Sequence, residues 1–243
     1  MRDTRPAGVA DRCEHPTPLA SGRDADVFVI DDRRVLRRYR EGGDVAAEAA
    51  VMAHVASHGF PVPRVYQARG ADLVMERLDG PTMLSAFLAG ELDATETATC
   101  LADLHRRLHA LPPRLGQGED DRILHLDLHP ENVMLTSRGP VVIDWRNATE
   151  GPADLDVALS AIIIAQVAVE EAHPLASPAA TLLAAFVDRV GGRVLTTLDQ
   201  AVAMRRDDPA LTSGERERLD AAAALITGRC WSRQPRGAAR PGA

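Results

Sequence analysis

One stretch limits what this chain can fold into more than any other: HLDLHPENVML at residues 125–135, followed by VVIDW, whose Asp144 stands twelve residues after Asn132. Residues 132–135 and 141–144 read as two short apolar strands, and Ser137-Arg138-Gly139-Pro140 between them has strong turn chemistry. A carboxylate ending so apolar a strand is costly unless a cation or hydrogen-bond donors meet it. His125, Asp127 and His129 alternate, so on a strand they could face one way and bind a metal as in a hydrolase. Pro130 ends any such strand, however, and that reading leaves the spacing of Asn132 and Asp144 as coincidence.

On either side of this centre the chain has two characters. Residues 1–78 read as a small sheet-rich lobe: strands over 26–30 and 34–39 flank the turn at Asp31-Asp32, and 73–76 forms another. One helix interrupts them, capped by Asp44 and running to about Ser57, with Val45, Ala49, Met52 and Val55 at helical spacing before Gly59 ends it. Glu48 lies on that same apolar face and needs a cationic partner if it points inward; were the helix rotated, it would be a solvated charge. Leu78-Asp79-Gly80-Pro81 breaks the pattern where two lobes would hinge. Residues 79–232 read as mostly helical, most clearly over 94–111, where Ala94, Ala98, Leu101, Leu104, Leu108 and Leu111 mark one face. Further helices are expected near 153–170, 177–190 and 213–230, the first a buried core helix through Ile162-Ile163-Ile164. Residues 233–243 are too polar and too rich in Pro and Gly to pack, and are expected to be a disordered tail.

HLDLHPENVML followed by VVIDWRNATEGPADLDVA resembles the signature of the aminoglycoside phosphotransferase and choline kinase superfamily, and the likeness extends over most of the chain. The resemblance implies an α+β, bilobal protein-kinase-like fold, with a small β-rich N-lobe built around one main helix and a larger, mostly α-helical C-lobe. It implies a small-molecule kinase that moves the γ-phosphate of ATP or GTP to a hydroxyl of an aminoglycoside-like antibiotic or a small metabolite, with Asp127 as catalytic base and Asn132 and Asp144 holding Mg²⁺. The chemistry accounts for the spacing: one carboxylate must face the acceptor hydroxyl, while an amide oxygen and a second carboxylate face the metal on the phosphates. Asp154 resembles the family's later structural aspartate, and Asp156 beside it reads as a solvated or capping residue. In the N-lobe, LASGRDADVFVI has the pattern of the family's nucleotide-covering loop, with Ser21 and Gly22 at its turn. RVLRRYR matches the strand bearing the family's phosphate-binding lysine, whose position is Arg37, with Glu48 its natural ion-pair partner. LVMERL is the expected hinge, its backbone around Glu76 and Leu78 contacting the adenine edge.

The chain departs from the family pattern in three places. Arginine replaces the lysine and presents a planar fork rather than a point charge; no lysine occurs anywhere, all 28 Lys+Arg positions being arginine. The covering loop has only Gly22. Trp145 and Arg146 follow Asp144, and about ten residues separate it from Asp154, which leaves no room for a long phosphorylated activation loop and argues against a protein kinase. Arg37 and the glycine-poor loop motivate one alternative, a nucleotide-binding pseudokinase or regulatory module without turnover.

A formal charge of −7 argues against a nucleic-acid partner and suits a neutral or cationic small acceptor. Glu150, Glu170, Glu171 and Asp188 are candidates to receive an amine-bearing one, or are solvated surface. Cys13, Cys100 and Cys230 are scattered and odd in number, as free thiols in a reducing cytosol would be. The polar N-terminus and the shortness of every apolar run point to a cytoplasmic chain with no membrane or protein partner implied. His105 and His109 stand one helical turn apart without the glutamate of a zinc-protease helix, and read as helix-face histidines bounding the cleft.

Overall fold

In the computed structural model, which describes residues 17–116 and 118–231, the chain opens with three antiparallel strands, β1 (Thr17–Ser21), β2 (Ala25–Val29) and β3 (Arg34–Tyr39). Cys13, residues 1–16 of the expected first lobe and the expected tail lie outside the described residues. The β2–β3 turn closes where Arg33 N–H donates to Asp31 Oδ1 at 2.9 Å. Along β3, Val35, Arg37 and Tyr39 are buried while Arg34 and Arg38 are exposed. This period-two alternation places the Arg37 guanidinium on the inward face of the sheet.

Helix α1 (Ala46–Ser57) follows, and Asp44 Oδ1 accepts the Ala46 N–H at 2.9 Å, so the expected cap acts two residues before the helix begins. Glu48, Val51, Met52 and Val55 form its buried face, which rules out the rotated helix with a solvated Glu48. Strands β4 (Val65–Arg69) and β5 (Asp72–Glu76) complete a five-stranded sheet in the order β1-β2-β3-β5-β4.

The hinge segment crosses to the second lobe by lying on a hairpin there. Leu135 N–H donates to Pro81 O at 2.8 Å, and Gly80, at φ +85°, sits so close that a Cβ would stand 2.0 Å from Leu135 O. Both the left-handed backbone and the contact therefore require glycine. Gly80→Ala is expected to lower stability by more than about 2 kcal/mol, read as a shift of the urea midpoint at unchanged slope.

The second lobe begins with α2 (Met83–Leu88) and α3 (Ala94–His109). A capping box starts α3, with Glu96 N–H donating to Asp93 and Asp93 N–H to Glu96, both at 2.8 Å, a pairing worth about 1 kcal/mol. Its buried face holds Ala98, Leu101, Leu104 and Leu108 as expected, and also Thr97 and His105. Strand β6 (Asp121–Leu124) leads into the loop 125–129 and a single 3₁₀ turn at Pro130–Asn132; β7 (Val133–Thr136) and β8 (Gly139–Val142) form the hairpin, and β9 (Thr149–Pro152) pairs back onto β6. The second hairpin strand stops two residues earlier than its apolar run suggests.

Helix α4 (Ala153–Ala168) runs through the middle of the lobe, packed against α5 (Ala176–Val190), α6 (Arg193–Thr196), α7 (Leu198–Arg206) and, beyond a break at Arg218, α9 (Leu219–Trp231); α8 (Ser213–Glu217) precedes the break. The one helix expected over 213–230 is thus two. Among the described residues no helix is long and apolar enough to cross a membrane.

Candidate active site

The loop after β6 is held in a conformation few residues tolerate. Leu126 has φ +64°, as does Asp144, and these are the two described non-glycine residues with positive φ. Such a backbone persists only where its surroundings over-determine it. The determinant is Asp156 in the first turn of α4: Oδ1 accepts the Leu126 N–H at 2.7 Å, Oδ2 accepts the His125 N–H at 3.2 Å, and His109 Nε2 lies 2.9 Å from Oδ2. Burial pushes this fully enclosed carboxyl up, but hydrogen bonds and charge from His105 and His109 more than offset it and hold it well below the usual range. Ser160, one turn further along α4, donates to Leu128 O at 2.6 Å and takes His105 Nε2 at 2.9 Å. Asp156 is therefore neither solvated nor a cap, whereas Asp154 is a partly exposed partner of Arg193 at 2.8 Å. His105 and His109 brace the loop from behind rather than bound the cleft. Together with Asp156 they bring three ligand atoms within 4.8 Å of one another. The Asp156 oxygens are already spent on N–H donors, which fits a hydrogen-bonded hub better than a metal cage.

This scaffold presents Asp127. Asn132 Nδ2 donates to its backbone carbonyl at 2.9 Å and to Oδ2 at 3.1 Å, and His129 Nε2 lies 3.6 Å from Oδ1. Burial raises the Asp127 carboxyl, but the hydrogen bond and charge of His129, with a smaller contribution from Arg205, leave it below its ordinary value, an anion at neutral pH. His125, fully buried, accepts from Asp127 N–H through Nδ1 and donates through Nε2 to Ile143 O at 3.0 Å. Burial depresses its basicity, in keeping with this neutral tautomer. The imidazole thereby fixes the distance between the loop and the residue preceding Asp144. Trp145, also fully buried, stacks edge-on against it and donates to Val142 O at 3.0 Å.

From the sheet lobe Arg37 reaches across, its two arms meeting Glu48 Oε1 at 3.1 Å and Asp144 Oδ1 at 2.5 Å. Burial works against the Arg37 charge, yet Asp144 and Glu48 more than compensate and raise its pKa. Burial likewise lifts Glu48, against Arg37 and the Tyr39 hydroxyl, which donates to Oε2 at 2.7 Å. Oxygen ligands suited to a hard divalent cation border the same cleft: Asp144 and Asn132 both line it, and among the described residues none donates to Asn132 Oδ1, whose amide nitrogen is committed to Asp127.

Asp127, Asn132, Asp144 and Arg37 line a cleft of about 890 Å³ between the lobes, and of the expected base, metal and nucleotide residues all but the buried Glu48 border it. Ser21 and Gly22 form its rim, though the Ser21 hydroxyl is engaged by Asp26 at 2.6 Å and Arg40 braces the turn through Gly22 O and Arg23 O. The turn is strapped to the second lobe by Arg23–Glu215 at 3.2 Å and Asp24–Arg146 at 3.1 Å. At the hinge, Glu76 N–H is committed to Arg64 O and its carboxylate to Arg138; among the described residues nothing accepts from Leu78 N–H. The acidic residues proposed to meet an amine do not border the cleft: Glu150 caps the N–H groups of 114–116, Glu170 pairs with Arg218, and Glu171 and Asp188 also lie elsewhere. Sequence reasoning missed Asp156, Arg205 and the Arg23–Glu215 strap.

The model of the "Phosphotransferase enzyme family" matches residues 15–122 and 84–185, together well over half of the chain. No curated protein sequence matches it significantly. Among solved structures, an aminoglycoside-3'-phosphotransferase of type VIII superposes with a TM-score of 0.52 at 21% identity, covering 90% of this chain and 96% of that one. The gentamicin complex of APH(2")-IIa gives 0.55 at 11%, covering 91% and 92%, and the amicoumacin kinase hAmiN in complex with AMP-PNP, Ca²⁺ and Ami gives 0.53 at 13%, covering 90% and 89%. At these identities the likeness is one of fold, and it agrees with the bilobal α+β architecture expected from the sequence.

Proposed function

The chain belongs to the phosphotransferase enzyme family, and from that premise we propose that it transfers the γ-phosphate of ATP or GTP to a hydroxyl of a small molecule, with residues up to about 78 covering the nucleotide and residues 79–232 supplying the base and the acceptor site. The observation that carries this reading is the Arg37 bridge between Glu48 and Asp144, because it ties the sheet lobe to the segment after β8, whose Ile143 carbonyl is joined through His125 to the Asp127 loop, across one cleft. Glu48 and Tyr39 aim the guanidinium; its planar fork suits two phosphate oxygens at once and is the counterpart of a lysine in related sites. Asn132 Oδ1 and Asp144 would hold Mg²⁺, which supplies charge neutralisation on the phosphates when bound. The carbonyl of Glu76 and the N–H of Leu78 would meet the adenine edge, with Ser21 and Gly22 folded over the phosphates.

Asp127 accepts the proton of the acceptor hydroxyl as that oxygen forms its bond to the γ-phosphorus. The bond from phosphorus to the β–γ bridging oxygen breaks, and its electron pair leaves with the nucleoside diphosphate. His125 and Asn132 keep the carboxylate in line, and Asp156 keeps the loop from relaxing. The test is thermal unfolding with ATP or GTP, each with and without Mg²⁺. The midpoint is expected to rise only with metal and nucleotide together, and the rise to vanish in Asp144→Ala. No shift with either nucleotide would reject the reading, and a shift without transfer to any hydroxyl acceptor would favour the module without turnover.

A further inference from the structure

The sheet lobe lines the cleft with Val27, Val35 and Met75, and the second lobe adds a wall from α4 and α5. That wall is apolar: Ile163, Ile164 and Val167 from α4 face the space together with Pro178, Ala179 and Leu182 from α5. The Ile162–Ile164 run, expected to be core throughout, thus turns one isoleucine only partly buried toward the cleft.

Charge in the same cleft is already matched. Glu215 is paired with Arg23, Asp24 with Arg146, Glu76 with Arg138, and Asp208 with Arg205 at 3.0 Å. Apart from Asp127 and Asp144, the one acidic side chain bordering the cleft without an ion pair among the described residues is the exposed Glu131. Arg205 also borders the cleft, adds to His129 in lowering the Asp127 carboxyl and is itself tied to Gln166 Oε1 at 3.1 Å. A polyamine entering here would strip water from several ammonium groups against hydrocarbon, with one free carboxylate to receive them. A molecule with an extended apolar face gains burial along α4 and α5 and presents a hydroxyl to Asp127.

We propose that the acceptor is a hydroxylated compound with an apolar face and at most one basic group, held against the α4–α5 wall, rather than a polyamino sugar. This rests on reading the cleft as a phosphotransfer site. The test is calorimetric binding to protein loaded with AMP-PNP and Mg²⁺, using a polyhydroxylated macrolactone bearing one amine and octyl glucoside below its micelle concentration, against gentamicin and hygromycin B. At least one apolar probe is expected to bind ten-fold or more tightly than either polyamine. Ile163→Asp, or Val167→Asp if the first fails to fold, is expected to narrow that ratio to less than three-fold. Equal or tighter binding of gentamicin or hygromycin B, no binding of either apolar probe, or a ratio unmoved by a folded variant overturns the inference. Phosphate transfer from ATP is followed in parallel: the binding preference without transfer to any probe rejects the phosphotransfer reading and leaves an apolar ligand site rather than an acceptor site on the α4–α5 wall, whereas transfer with the preference reversed overturns the apolar-acceptor inference alone.

Discussion

Replacing Asp127 with asparagine is expected to lower kcat by about 10³-fold while leaving the nucleotide-dependent rise in unfolding temperature in place. The substitution keeps the volume and the hydrogen bond from Asn132 Nδ2 to the side-chain oxygen, and removes only the capacity to take a proton. Because His129 and its neighbours outweigh burial and hold the Asp127 carboxyl below its ordinary value, the base is fully ionised across roughly pH 6 to 8. Activity governed by this group is therefore flat in that range and falls only as the pH drops through the depressed pKa. The measurement is steady-state kinetics with a working acceptor, wild type against variant, across that range. A variant retaining more than about a tenth of the activity would remove Asp127 from the role of base.

The second large effect is expected at a residue with no predicted contact to substrate. Asp156→Ala should destabilise the protein by about 4 kcal/mol, because it leaves the His125 and Leu126 N–H groups and His109 without their buried acceptor. For a chain of this length that corresponds to a fall of roughly 10 °C in Tm. The sign with pH is definite. The folded pKa lies well below the unfolded value of 3.8, so the contribution is fully present above that value and is lost as pH falls through the lower one. Urea unfolding of wild type and variant should accordingly differ most at neutral pH and converge in strong acid. In conditions where the variant stays folded, kcat should fall as well, since Leu126 is free to leave φ +64° and Asp127 moves with it. Unchanged stability at neutral pH would mean that the loop is held by something else.

What the sequence made legible follows from which interactions are local. The β3 strand and helix α1 were readable because a period of two and an apolar helical face are written in consecutive residues, and with them came the inward placement of Arg37 and Glu48. Strands β6 and β9 were not, because DRIL and TEGP carry no alternation and exist by pairing with each other across 25 or more residues. Helices α6 and α7 escaped for want of an apolar stripe long enough to stand out from their arginines and aspartates. At the site, the Asp127, Asn132 and Asp144 spacing was visible in one short stretch. The assignment of the structural role to Asp154 was wrong because two aspartates two positions apart on a helix look alike in sequence and point in different directions in space. The strap from Arg23 to Glu215 joins residues nearly two hundred positions apart and has no sequence signal at all.

Helix α4 carries two separate duties at a fixed distance. Asp156 in its first turn holds the Asp127 loop, and Ile163, Ile164 and Val167 two turns later line the cleft where the acceptor is proposed to lie, a separation of about 10 Å along one rod. Inheritance can act on these independently. On the proposed reading, exchanging side chains in the second half of the helix would change the acceptors taken without disturbing the Asp127 loop, and altering Asp156 would lower turnover on every acceptor at once. Specificity and the support of the loop would then be modular within a single element, separable by substitutions a handful of codons downstream of Asp156.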